Sequence, residues 1–354
     1  MAVHNLQKYK VHETLPDPNT EVPVLPRDRS IRVYTDYELV VDHLTDNRFE
    51  LVDKKEEADI IWTSKTIRNY LAWSEGTHKY YLNQFPFEMV ITIKNLLAAV
   101  ARRVIKRHID HDTLESKLDW LPITFNLTSE LAQFVSYFQQ RKKRGLSNYW
   151  ICKPWNLGLG MDLHVTDNLA YILRLPDTGP KIASLYVDDP VLIERESVGQ
   201  VKFDLRFLVM LVSIKPLTVY VHKKFLIRYA NVAFSMDHFD EYEKHFTVMT
   251  ARKYADTHES KIHAILKQLF EAATSKPPPL GIGHSPLSRA IYGIDIMLRW
   301  KTNRKGDREI QPVLIECNFG PNNERFCRYY PDFMNDIFSV LFLEDTETRE
   351  VVLL

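Results

Sequence analysis

Between Val201 and Ile214 the chain reads VKFDLRFLVMLVSI. Side chains of an extended strand point alternately to opposite faces. Lys202, Asp204 and Arg206 therefore share one face, and Val201, Phe203, Leu205 and Phe207 the other. A segment of this kind calls for a sheet. Its charged face has two readings. It is a solvated outer surface, or it is a cation–carboxylate–cation row along a nucleotide cleft. In such a cleft lysine meets phosphate as a point charge and arginine forks onto phosphate or carboxylate.

A second pair of segments restricts the choice. Asp295 sits among apolar residues in YGIDIMLRW (292–300), and Glu316 and Asn318 lie at i and i+2 in PVLIECNF (312–319), beside Ile315, Cys317 and Phe319. The polar stretch KTNRKGDRE between them predicts a hairpin. Carboxylates in apolar strands are costly unless they are paired or metal-bound. Asp295, Glu316 and Asn318 together offer hard oxygen donors suited to Mg²⁺. The alternative is an ion pair from Glu316 to Arg325 or Arg328. A third segment, NYWICKPWNLGLGMD (148–162), predicts a strand that ends on Lys153-Pro154 and leads to Gly158 and Gly160. It is neither GxxxxGK[ST] nor GxGxxG. A lone GxG serves an ordinary tight turn as well as it serves a phosphate.

The remaining pattern is a mixed α/β rhythm. IRVYTD (31–36), FELVD (49–53) and ADIIWT (58–63) read as strands, with a short helix over YELVVDHLTD (37–46). Apolar spacing predicts a helix over 85–108, with Arg102, Arg103, Lys106 and Arg107 on its outer side. A second helix spans 128–145, capped by Thr128 or Ser129 and closed by Gly145. LYVDDPVLIE (185–194) and LTVYVHKKFLIRYA (217–230) read as further strands, and SKPPPLG (275–281) ends a helix begun near Glu259. Lysine plus arginine and aspartate plus glutamate number 46 each, so no global field draws in nucleic acid or membrane. The three cysteines, Cys152, Cys317 and Cys327, are scattered, which points to a reducing compartment, cytoplasmic or nuclear. Residues 1–30 are polar and proline-punctuated, unlike a signal peptide. RKKR (141–144) reads as a solvated helix end, with contact to acidic protein tails or a nuclear signal as the other readings. PPP (277–279) reads as a rigid turn, with a polyproline ligand as the other reading.

Taken in order, these motifs resemble the tubulin–tyrosine-ligase-like family, a branch of the ATP-grasp superfamily. YWICKP…GLG (149–160) is similar to the family's apolar-Lys-Pro strand and GxG loop, and LYVDDPVLI (185–193) to its Y-I-x-x-P-L-L run. Lys202-Phe203-Asp204-Leu205-Arg206 carries K-F-D-x-R, FLIR (225–228) resembles G-x-x-R, and His245-Phe246-Thr247-Val248 resembles H-L-T-N. Asp295 with Glu316 and Asn318 matches the closing G-x-D and x-E-x-N pair, and LNQFP with IKNLL (82–97) resembles N-x-x-P…K-D-x-L.

The resemblance implies an α/β ATP-grasp-type fold, with an extended lead-in (1–28), N-terminal (29–92), central (93–184) and C-terminal (185–345) parts and a short tail. ATP would lie between the last two parts. Lys153 and Lys202, with Gly158 and Gly160, would face phosphates, and Asp204 the ribose. Arg206 and Arg228 would face the transferred phosphoryl group and the acceptor carboxylate, and Asp295, Glu316 and Asn318 would hold Mg²⁺. The family's chemistry makes an acylphosphate and then an amide, gathering negative charge that a dense set of cations suits. Four departures stand out. Only Trp155, Asn156 and Leu157 separate Lys153-Pro154 from the glycines, a shorter loop than the family's. Ser184 stands where a glutamine reads the adenine edge, Val248 replaces an asparagine, and Phe-Gly-Pro follows Asn318. These departures imply a regulator of tubulin modification that engages tubulin tails and ATP–Mg²⁺ with little or no ligase activity. The alternative is an active ligase that adds an amino acid to a protein tail.

Overall fold

The computed structural model describes residues 13–75, 79–106, 108–155, 161–247, 249–251, 259–303 and 305–354. Gly158, Gly160, Val248 and Arg107 lie outside the described residues. The described chain builds three sheets, in a mixed α/β arrangement consistent with the ATP-grasp type.

The first sheet is parallel, in the order β2 (Phe49–Leu51), β1 (Ile31–Thr35), β3 (Ile60–Trp62) and β4 (Tyr81–Leu82). Helices α1 (Glu38–His43) and α2 (Tyr70–Ser74) connect it. The single helix expected over 85–108 is two, α3 (Met89–Thr92) and α4 (Lys94–Ala101), followed by a tight turn over Arg102–Val104. Ile93 between them is extended, at φ −92° and ψ 122°, and caps α4. The Lys94 N–H donates to the carbonyl of Trp155, so the break places Lys94 beside the end of the Lys-Pro strand. Leu96, Leu97 and Val100 are buried as their spacing predicts, while Val104, past the end of α4, is exposed.

The second sheet is antiparallel, in the order β5 (Thr124–Asn126), β8 (Lys181–Leu185), β6 (Trp150–Pro154) and β7 (His164–Thr166). Helix α5 (Leu131–Lys143) packs Phe134, Tyr137 and Phe138 against Trp150 and Phe125. Its N-cap is Glu130, not Thr128 or Ser129. The N–H groups of Thr128 and Ser129 donate to Asn126 Oδ1, and the Glu130 carboxylate accepts from the Asn126 N–H. Gly145 closes the helix at φ +66°. Half of the RKKR run is structural. Arg141 is buried and donates to the carbonyls of Leu114 and Ser147, and Arg144 donates to those of His111 and Asp112. Helix α6 (Leu169–Arg174) joins β7 to β8.

The third sheet is centred on the long β10 (Gly199–Ile214), which pairs with β9 (Leu192–Arg195), β11 (Leu217–His222), β12 (Leu226–Tyr229) and β14 (Ala290–Thr302). Strands β13 (Met249–Ala251), β15 (Arg308–Phe319) and β16 (Val351–Leu353) complete it. The expected strand over 185–194 is interrupted, because residues 186–191 cross from the second sheet to the third. The helices are α7 (Tyr242–His245), α8 (Glu259–Thr274), α9 (Glu324–Tyr329) and α10 (Phe333–Leu343).

One face of β10 carries Phe203, Leu205, Phe207 and Val209 into a core with α4 and α8. The other face changes character along its length. Leu208, Met210 and Val212 pack under α10 and the first sheet. Lys202, Asp204 and Arg206 turn instead toward a cleft beside the second sheet. The sequence loses its alternation after Phe207 because both faces are covered there. No helix among the described residues is long and apolar enough to cross a membrane.

Candidate functional site in the cleft between two sheets

The cleft holds a cavity of about 540 Å³. Apolar residues from both sheets line one part of it, among them Ile151, Ile182, Val187, Met297 and Ile315. Lys94, Lys153, Lys202, Arg206, Arg228, Asp204, Asp295, Glu316 and Asn318 also line it. Every described residue singled out from the sequence for ATP, metal or catalysis therefore meets in one place.

Strand register does the assembling. Lys202, Asp204 and Arg206 project at alternate positions of β10, Arg228 of β12 pairs with Asp204, and Asp295 of β14 pairs with Arg206. Glu316 of β15 pairs with Asp295, and a bulge follows immediately. The bulge makes Ile315 the extra residue, so Ile315 and Glu316 both line the cavity although they are neighbours. Strict alternation would turn Ile315 and Phe319 away from Glu316 and Asn318, yet both line the cavity with them.

The charged row is not a solvated surface, because Lys202 is 1% and Asp204 5% exposed. Arg206 grips Asp295 with two hydrogen bonds, Nε–Oδ1 at 2.7 Å and Nη2–Oδ2 at 2.8 Å. Arg228 donates to Asp204 Oδ1 at 2.6 Å and to Asp295 Oδ2 at 2.7 Å. The Thr247 hydroxyl donates to Asp204 Oδ2. Glu316 pairs with neither Arg325 nor Arg328. Its ion-pair partners are Lys94 at 3.7 Å and Arg206 at 4.0 Å, and Arg328 pairs with Glu324. The Ser184 hydroxyl meets Thr124 Oγ1 at 2.9 Å.

Charge states follow from these contacts. Burial works to raise Glu316, but the Lys94 and Lys153 ammonium groups and the Asn318 amide carry it down to about 2. Burial pushes Asp295 up, and the guanidinium groups of Arg228 and Arg206 oppose this. Burial lowers Lys202 to about 7, with the nearby Lys153 adding to the effect. It lowers Lys153 as well, against the attraction of Glu316.

The donor set suits a divalent cation in chemistry. Glu316 is held ionised, and the Asn318 amide lies beside it, with Nδ2 3.0 Å from Glu316 Oε1. Asp295 is the cross-strand neighbour of Glu316. Among the described residues no group of three or more His, Cys, Asp or Glu side chains is placed to hold a metal ion. Two carboxylates and an amide are the kind of partial set that Mg²⁺ completes with phosphate and water. Among the described residues, five basic side chains and three carboxylates line the cavity, a formal positive excess suited to an anionic ligand.

The sequence reading did not assign Lys94 a role, although it lines the cavity and pairs with Glu316. The signal was its place in IKNLL, within a motif of the resemblance.

Residues 74–261 and 252–351 match the Tubulin-tyrosine ligase family. The chain belongs to that family. It is 42% identical over 349 residues to Tubulin--tyrosine ligase-like protein 12 of Mus musculus, covering 92% of this chain and 53% of that protein. Identity to the protein of the same name in Caenorhabditis elegans is 39% over 357 residues, covering 94% of this chain and 52% of the other. A more distant relative, Probable tubulin polyglutamylase TTLL2 of Mus musculus, is 26% identical over 336 residues, covering 83% and 57%. The chain thus spans about half the length of the protein-12 relatives it matches.

Proposed function

We propose that the cleft binds ATP–Mg²⁺ and that the domain acts on tubulin modification as a regulator with little or no ligase activity of its own. The observation that carries the nucleotide reading is the convergence of Lys153, Lys202, Asp204, Arg206, Arg228, Asp295, Glu316 and Asn318 on one cavity from two sheets. Lys153 and Lys202 would offer positive charge to the phosphates, and Asp204, already oriented by Arg228 and Thr247, would accept from the ribose. Asp295, Glu316 and Asn318 would hold Mg²⁺, which neutralises phosphate charge when bound. The substitution at Ser184, whose hydroxyl faces Thr124, supports a regulatory reading, as do the shortened run Trp155–Leu157 and Val248. Tubulin is proposed as the partner because the names of the relatives carry it.

The second reading is an active carboxylate–amine ligase. Arg206 and Arg228 favour it, since both reach the same carboxylate and could share an anionic transition state. Thermal melting with and without ATP–Mg²⁺ tests the shared step, because a ligand that binds only the native state raises the melting temperature. Wild type should shift by several degrees at about 100 Kd, where binding contributes about 2.7 kcal/mol. Lys153→Ala and Glu316→Gln should lose that shift. An unmoved wild type at millimolar ATP ends both readings. If binding holds, incubation with tubulin and labelled tyrosine, glutamate or glycine separates them, and incorporation of label overturns the regulatory reading.

A further inference from the structure

Two buried side chains, Tyr186 and His245, line the cleft beside Lys202. The Lys202 ammonium donates to Tyr186 Oη at 2.8 Å, 4.2 Å from the centre of the Tyr186 ring and 5.3 Å from that of Phe234. Tyr186 Oη lies 2.8 Å from His245 Nδ1, and His245 Nε2 lies 3.0 Å from the Asp237 carbonyl oxygen. One proton arrangement satisfies this chain with a neutral imidazole. A carbonyl only accepts, so His245 carries its proton on Nε2. Nδ1 is then bare and accepts the Tyr186 O–H, which leaves the phenol oxygen's lone pairs to the Lys202 N–H. His245 is stacked on Phe239 at 5.0 Å and 27°, which fixes the plane of its ring. Burial lowers its pKa, which favours the neutral form that the arrangement needs.

We infer that Tyr186 and His245 are positioning residues: a tautomer-locked pair that holds the Lys202 ammonium in the cleft, so that binding of a nucleotide's anionic part depends on both of them through Lys202. The ligand named here rests on the nucleotide reading, whereas the support of Lys202 rests on geometry alone. The charged and titratable groups facing Lys202 are Lys153, Asp204, Asp188 and His245. The hydrogen bonds described for Asp204 go to Arg228 and Thr247, which makes Tyr186 Oη the hydrogen-bond acceptor described for the Lys202 ammonium. Removing that oxygen takes a stabilising contact from the charged form. The ammonium must then lose its proton at lower pH.

Both side chains line the cavity, so weaker nucleotide binding alone does not separate positioning from direct contact. The protonation of Lys202 itself does. The full chain would be prepared with ¹³C-labelled lysine, and the Lys202 signal identified by its loss in Lys202→Met. Titration without nucleotide should give a wild-type midpoint near 7. Tyr186→Phe should lower the midpoint by about one unit and weaken ATP–Mg²⁺ about tenfold at pH 7.5. His245→Leu should act in the same direction. His245→Asn, which keeps an acceptor at the Nδ1 place, should stay within about threefold of wild type. The other lysine signals and the melting temperature report whether each variant is folded, and Tyr186→Phe, which removes one oxygen, decides the matter if the His245 variants unfold. An unchanged Lys202 midpoint in Tyr186→Phe overturns the inference, even where nucleotide binding weakens. If wild type binds no ATP–Mg²⁺, the nucleotide reading fails, and the titration alone still upholds or overturns the support of Lys202.

Discussion

The β14–β15 hairpin has a glutamate near each of its faces, and the two glutamates behave in opposite ways. On one face, Tyr292, Ile294 and Cys317 enter the apolar core, and the Tyr292 hydroxyl donates to Glu88 at 2.7 Å. Burial pushes Glu88 up to about 8, against that hydrogen bond and one from the Phe85 N–H. On the other face, Glu316 sits among Lys94, Lys153 and Arg206 and falls to about 2. Both start from 4.5 and both are half-buried. The difference lies in the neighbours. Enclosure without a cation favours the neutral acid, and enclosure beside cations favours the carboxylate. The hairpin therefore separates a face that suppresses charge from a face that concentrates it.

The strongest way to break this contrast is to remove the central anion of the charged face. Asp295→Ala leaves Arg206 and Arg228 without the carboxylate they share, and should cost about 3 kcal/mol in urea unfolding. Wild-type stability in that variant would mean that the guanidinium lock contributes nothing. A smaller loss is expected from Gly293→Ala. A Cβ at Gly293 would lie 2.7 Å from Pro321 Cβ and 3.8 Å from Arg206 Cδ, so the turn after Asn318 must shift. The expected cost is about 1–3 kcal/mol. Full stability with unaltered nucleotide response would show that the Phe-Gly-Pro turn is free to move.

The apolar face is sharpened by pH. Because Glu88 has a higher pKa folded than unfolded, the folded chain holds more protons between 4.5 and 8. Its contribution to stability is full below 4.5 and is lost as pH rises through 8. Glu88→Gln should flatten this dependence and gain about 1 kcal/mol at pH 8, measured by unfolding across the series. An identical slope in the variant would place the titration elsewhere. The smallest effect is expected far from the hairpin. Lys142→Ala with Lys143→Ala should change stability by less than about 0.5 kcal/mol, since both side chains are exposed. A larger loss would show that the whole RKKR run is structural.

Much of the candidate site was legible in the sequence. The period-two pattern of 201–207 placed Lys202, Asp204 and Arg206 on one face, and the isolated carboxylates of 292–319 marked the facing hairpin. Alternation is a local property, so it survives without knowledge of the fold. It failed where local pattern and packing part. The bulge at Ile315 shifts the face by one residue, and the extended backbone at Ile93 splits an otherwise helical apolar pattern. Arg141 reads as one of four surface cations, yet it is buried against the carbonyls of Leu114 and Ser147.

By itself the sequence determined the long charged strand and its facing hairpin, the order of the motifs, the family, and which residue types could meet an anion or a cation. Short-range alternation and composition carry that information. Only the tertiary structure decided which charges are paired, and with whom. Glu316 faces Lys94 and not Arg325 or Arg328, Glu88 meets Tyr292 across 204 positions, and Tyr186 meets His245 across 59. Those choices depend on how three sheets are packed, because an ionisable group's state is set by desolvation and by neighbours distant in the chain.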